Sequence, residues 1–185
     1  MRTPLFFIAV ASLLVSACST TPPTRHRYLL RSDSPIESGR VNRLDPYYLG
    51  ELQVANYIDQ PGLVLELSDG KMHAARYHQW AEPLQVSLRE FLSREIPVRP
   101  NLPPALAADE SVIASRIDIQ ISQLHGDAAG NAVLVAYWSL QAGNQYKEFQ
   151  FVHSVALKGI GYTSLVAAEQ QLLIHLAKAI ASQLR

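Results

Sequence analysis

Sixteen lysines and arginines stand against sixteen aspartates and glutamates in this chain of 185 residues, so no net charge draws it to nucleic acid or an anionic bilayer. A single cysteine allows no internal disulfide. A 48% hydrophobic composition is enough to build a core without one.

The first segment, residues 1–17, reads MRTPLFFIAVASLLVSA: one basic residue at Arg2, an apolar run from Leu5 to Val15, then small residues at Ser16 and Ala17. That order is the order of a secretory signal peptide. The apolar run is too short to span a bilayer, which takes roughly 20 such residues. Cys18 follows at once, and behind it the sequence turns to Ser, Thr and Pro. Val15-Ser16-Ala17-Cys18 resembles the bacterial lipobox, in which the chain is cut between the residues corresponding to Ala17 and Cys18 and the cysteine is acylated. The resemblance implies a domain held to a membrane by acyl chains on Cys18. Each buried methylene contributes about 0.8 kcal/mol, and two or more chains make such an anchor stable. Ser19, where an aspartate would imply retention in the inner membrane, points to the outer membrane, with the domain facing the periplasm.

Residues 18–46 are expected to form the lipidated tether, poor in periodic apolar residues, with one short strand at Tyr28-Leu29-Leu30. Its arginines, Arg25, Arg27, Arg31, Arg40 and Arg43, form either a solvated face or a contact with phosphate head groups. Residues 47–185 make one globular domain. LGELQVANY and GLVLEL read as strands separated by the turn Asp59-Gln60-Pro61-Gly62, and KMHAARYH as a further short strand. In WAEPLQVSLREFLSREI the period changes. Trp80, Leu84, Leu88, Phe91 and Leu92 recur at three and four, the signature of one helical face, with Glu82 and Pro83 in its first turn.

Pro97, Pro100, Pro103 and Pro104 end that helix, and the polar residues near Asp109 and Glu110 extend the loop. VIASRIDIQISQL sets Ile113, Ile117, Ile119 and Ile121 on one face and Arg116, Asp118 and Gln120 on the other, a half-buried strand. AVLVAYWSL is apolar on both faces and is placed centrally in the sheet, and NQYKEFQFVHSVAL follows with Phe149, Phe151, His153 and Val155 alternating. From Thr163 to Arg185 helical spacing returns, with Leu165, Leu172, Leu173, Leu176, Ile180 and Leu184 as the stripe and Glu169, Gln170, Lys178 and Gln183 on the other face. The predicted class is α+β: a mixed, mainly antiparallel sheet of about six strands with two packed amphipathic helices.

Catalytic signatures are missing from this sequence. It has no nucleophile elbow, no phosphate-binding P-loop and no HExxH pair. KGIGYTS has two glycines of a dinucleotide fingerprint without the third, and reads as the turn into the last helix. His73 and His78, five apart, share neither a helical face nor a strand face, and the other histidines are scattered. The expectation is a protein without metal, cofactor or enzymatic activity.

YIDQPGLVLELSDGKMHAARYHQWAEPL, residues 57–84, and especially Trp80-Ala81-Glu82-Pro83-Leu84, resembles the signature region of the ABC-type transport auxiliary lipoproteins. The likeness runs on through RIDIQISQLHGDAAGNAVLVAYWSL into the last helix, over roughly residues 28–185. It implies an outer-membrane accessory subunit working with an ABC ATPase, its permease and an MCE-type periplasmic protein, in systems that move lipids or other hydrophobic molecules and maintain the envelope. Self-association, as in a ring, would let a small domain engage a tunnel. Trp80, Pro83 and Leu84 are candidates either for packing at the helix start or for docking a partner. A free-standing lipoprotein that binds a ligand or scaffolds the envelope is the alternative.

Overall fold

The computed structural model describes residues 23–32, 47–98 and 115–184. Ile117, Ile119, Ile121 and Leu124 are at most 2% exposed, and they fix the strand that carries them at the heart of the sheet. That strand is β5 (Ser115–Gly126). Before it in the chain come β1 (His26–Tyr28), β2 (Tyr47–Val54), β3 (Gly62–Glu66), β4 (Met72–Trp80) and helix α1 (Leu84–Glu95). After it come β6 (Asn131–Ala142), β7 (Gln145–Ala156) and helix α2 (Tyr162–Ser182).

Among the described residues seven strands form one mixed sheet, six of them in the order β1-β4-β3-β5-β6-β7 and the seventh, β2, off this path on β5. One edge of β5 carries β6, antiparallel, and β6 in turn carries β7, antiparallel over twelve paired residues without a break in register. The other edge is shared. Residues 115–121 pair in parallel with β2, and Gly126 pairs in parallel with Leu65 of β3. β4 returns antiparallel to β3, and β1 adds in parallel to β4. The class is α+β as expected, with seven strands against about six. The AVLVAYWSL run lies inside the sheet as β6, but β5 is the central strand and β6 is second from an edge.

Both helices cover one face. α2 lies over β5, β6 and β7, α1 lies on β2, and the two helices touch each other. Beneath them lies a single cluster that includes Leu49, Leu52, Leu63, Ile119, Leu134, Trp138, Leu88, Phe91, Leu172 and Leu176. Leu49 and Leu52 are three apart and would face opposite sides of a regular strand. A register shift between them, at Gly50 and Glu51, turns both into the core.

Several boundaries differ from the sequence reading, among them the end of the last helix, at Ser182 with Leu184 beyond it, and the second strand, Tyr47–Val54. The short first strand is His26–Tyr28, two residues upstream of the Tyr28-Leu29-Leu30 expected. Trp80 falls at helical spacing from Leu84 but ends β4, since its N–H bonds Pro61 O at 2.7 Å and its backbone pairs with Tyr28. The helix starts only at Leu84, with Pro83 as its N-cap and Glu82 before it, where Glu82 accepts a hydrogen bond from Ser87 Oγ at 2.6 Å. At α2 the glycine turn is as read: Gly161, at the N-cap, has φ of +81°, a left-handed backbone that suits glycine alone among ordinary residues. The expected signal segment, Cys18, Arg40, Arg43, Pro100, Pro103, Pro104, Asp109, Glu110 and Ile113 lie outside the described residues.

Glu169 is the clearest correction. It is 1% exposed within the packed face of α2, four residues from Leu165 and from Leu173, rather than on the solvent face. Its Oε2 has no hydrogen-bond partner among the described residues. Burial pushes its carboxyl up to about 8, so the neutral acid is the folded form at neutral pH. In the unfolded chain the group ionises near its ordinary value of 4.5. The folded state therefore binds the extra proton between these values, and stability falls as pH rises through that window. A loss of stability on the order of 4 kcal/mol between pH 4.5 and 8 is expected from this one group. Denaturant midpoints measured across that range should fall steadily in the parent and stay much flatter in Glu169→Gln.

Candidate functional site

The β1 end of the sheet is organised around one histidine. His78, near the end of β4, stacks between His26 of β1, with ring centroids 4.9 Å apart, and Tyr162 at the start of α2, at 4.1 Å. Tyr28 OH lies 2.8 Å from His78 Nδ1. Strand alternation puts His26 and Tyr28 on one side of β1, and register opposite His78 and Trp80 does the rest. Burial, then the facing His26 ring, holds the His78 imidazole below its ordinary pKa. The cluster ties together three elements that are far apart in sequence. Ala81 N–H adds a bond of 2.7 Å to Tyr28 O, and Gln170 Nε2 reaches Leu29 O at 3.4 Å.

The Trp80-Ala81-Glu82-Pro83-Leu84 motif joins this end to α1. Trp80 is 7% and Leu84 3% exposed, so both side chains serve the core. Pro83 O accepts the N–H groups of Val86 and Ser87 at 3.0 and 3.2 Å. A groove beside the motif runs between residues 29–32 and α1, where Ser32 Oγ donates to Glu95 and Arg94 pairs with Glu90.

The face of the sheet turned away from the helices carries a second feature. A shallow depression of about 550 Å³ crosses β2, β5, β6 and β7. Its polar lining includes Gln53, Asp118, Gln120, Ser139, Glu148 and Gln150. These groups are linked in short hydrogen bonds: Tyr146 OH to Glu148 Oε1 at 2.7 Å, Gln150 Nε2 to Tyr137 OH at 3.0 Å, and Gln53 Nε2 to Glu51 Oε1 at 2.8 Å. Arg116 Nε pairs with Asp118 Oδ1 at 2.7 Å, which also accepts Glu51 N–H at 2.5 Å. Gly50 makes this junction fit. A Cβ there would stand 2.4 Å from Asp118 Oδ1 and 2.5 Å from Arg116 Nε. The sequence reading missed this surface, although the alternation of Asp118 with Gln120 and of Glu148 with Gln150 marks it.

The structure brings the remaining histidines together only in part. His153 on β7 meets His175 on α2 edge to face, with centroids 5.4 Å apart. His125 is buried, its Nδ1 3.1 Å from Gly126 O, and His73 is exposed. Among the described residues no group of three or more His, Cys, Asp or Glu is placed to hold a metal ion. Among them, too, no helix is long and apolar enough to cross a membrane.

The sequence profile of the ABC-type transport auxiliary lipoprotein component matches residues 28–181, the span that runs from the ring stack through α2. The chain belongs to this family. It is 22% identical over 189 residues to the intermembrane transport lipoprotein PqiC of Escherichia coli K12, a match that covers 97% of each chain. The PqiC of Shigella flexneri matches to the same extent. Two solved structures share the fold. An uncharacterized protein superposes with a TM-score of 0.71 at 21% identity, covering 88% of this chain and 100% of its own. Protein XCC0632 from Xanthomonas campestris superposes with a TM-score of 0.54 at 16% identity, covering 75% and 82%.

The lowered His78 pKa fixes the sign of a pH effect. A folded value below the unfolded one means that protonation weakens the ring stack as pH falls, while the stack is intact at higher pH. The Ala81 amide, which bonds the backbone of β1, should lose hydrogen-exchange protection between pH 7 and 5 after correction for intrinsic exchange. In His78→Phe, which keeps a ring and removes the titrating nitrogens, that protection should hold steady.

Proposed function

We propose that this family member is a non-catalytic, lipid-anchored accessory subunit of an ABC/MCE-type transporter that moves lipids or other hydrophobic molecules across the envelope and supports membrane integrity. The observation that carries the reading is the family match over residues 28–181, which takes in nearly all of the described fold. Full-length similarity to a protein named as an intermembrane transport lipoprotein agrees with it. The lipobox-like Val15-Ser16-Ala17-Cys18 supplies the anchor. Residues 1–17 are removed as a signal, Cys18 carries the acyl chains, and residues 18–46 tether the domain to the periplasmic side of the outer membrane. The domain then works by position. It stands at the outer-membrane end of the system, associates with further copies of itself and touches the MCE-type protein, while the ATPase and permease act at the other membrane.

A free-standing lipoprotein that binds a ligand or scaffolds the envelope is the second reading. The polar depression on the face opposite α1 and α2 is the feature in its favour.

Fractionation and complementation separate the two. Cys18→Ser should give an uncleaved precursor or a soluble form, and it should fail to restore detergent resistance in a strain lacking overlapping transport systems. Substitutions at His73 or His153 that leave the domain folded should restore it nearly in full. Outer-membrane fractionation of Cys18→Ser like that of the parent would refute the anchor. Full complementation without cross-links to the MCE-type protein would favour the free-standing reading.

A further inference from the structure

Each end of the sheet leaves an edge open among the described residues: β1 pairs only with β4, and β7 only with β6. The β7 edge is long and unguarded. It holds twelve residues in unbroken register, nine of them exposed, with no proline and a single lysine, Lys147. Tyr146 is 61% and Val152 64% exposed. Natural sheets usually blunt such an edge with bulges, prolines or several charges, because its free N–H and C=O groups template another strand.

The two faces of β7 specify what would fit beside it. Phe149, Phe151 and His153 lie on the helix-bearing face, as the Trp138–Phe149 stack and the His153–His175 contact show. Tyr146, Glu148 and Gln150 therefore lie on the polar face, where Glu148 has no ion pair within 4 Å among the described residues. Arg116, a cation of β5 on that face, is held by Asp118. A matching strand carries rings or apolar groups toward the helices and basic groups toward the polar face.

The chain itself contains that strand. On β1, His26 and Tyr28 face His78 and Tyr162 of α2, so alternation turns Arg27 to the polar face, and both Arg25 and Arg27 are exposed. If the sheet of one copy continues into the next with helices on the same side, the arriving Arg27 meets the acidic face at Glu148. His26 and Tyr28 then arrive beside Phe149, Phe151 and His153. Symmetric pairing of β7 with β7 would instead set two acidic faces side by side.

We propose that β7 of one copy pairs with β1 of a second copy, head to tail, with Arg27 of one facing Glu148 of the other. This rests on the self-association proposed above and names its interface. Unlike edges pair, so every copy keeps one of each, and the arrangement closes into a ring or extends as a chain. Each tether-proximal strand is then gripped on both sides, by its own β4 and by the neighbour's β7.

Two differently tagged full-length forms, made in the same cells and oxidised on the membrane, test this by parity. Disulfides need Cα atoms about 4.4–6.8 Å apart and side chains pointing toward each other. Cysteines at Arg25 or Arg27 in one form should link to cysteines at Glu148 or Gln150 in the other. His26→Cys, which faces the helices, should not link to either, and the parent should give no linked species through Cys18. A link between two copies of Glu148→Cys would establish symmetric pairing and overturn the proposal. Absence of every outward-facing link, in forms that are folded and fractionate with the parent, would overturn it too, while leaving the transport role untouched. Glu148→Arg should weaken self-association about fivefold, the scale of one exposed ion pair, and Arg27→Glu added to it should recover most of that loss. A parent that remains monomeric at every concentration would also contradict the interface.

Discussion

Everything else in the domain is arranged around the shared edge of β5. Its isoleucines occupy alternate positions and must be covered, which commits one face to the helices. With β6 holding one edge, β2 and β3 have to lie end to end along the other, joined by residues 55–61. That placement carries β4 and then β1 outward on one flank and leaves β6 and β7 on the opposite flank. Among the described residues, the short β1 and the long β7 are thus driven to the two ends of the sheet.

The same constraint sorts the polar groups. Because α1 and α2 both cover one face, the other presents the amides, tyrosines and carboxylates of β2, β5, β6 and β7 to solvent. On the packed face, the elements that would otherwise be loosest are tied down by specific contacts. His78 joins β1, β4 and α2 through ring stacking, and Pro83 and Glu82 fix the start of α1 against the end of β4. Glu169 runs against this order, since an apolar residue of similar size would fill its place without a proton to bind.

The sequence reading reached the elements whose pattern is local. The alternation in β5 and the stripe of α2 are statements about neighbouring residues, and both elements formed where the periods said. Trp80 misled because a residue at helical spacing from Leu84 can still be held in a strand by partners at Pro61 and Tyr28, which lie elsewhere in the chain. The bulge that buries both Leu49 and Leu52 depends on Arg116 and Asp118 packing against Gly50, again a distant contact. Glu169 was legible: its spacing from Leu165 and Leu173 places it in the stripe, and only its charge argued otherwise. Of the candidate site, Trp80, Pro83 and Leu84 could be picked out as a motif. The ring stack at His78 and the polar face could not be assembled without the sheet order, since they unite residues from opposite parts of the sequence.

On the proposed reading the domain contributes by where it stands and what it touches, held in place by the lipid proposed for Cys18. Quantitative mass spectrometry of the full-length lipoprotein purified from gently solubilised envelopes tests that account most directly. It predicts recovery of one MCE-type protein with its permease in a fixed ratio to the lipoprotein. Recovery of the lipoprotein alone, from envelopes in which that MCE-type protein is abundant, would contradict it.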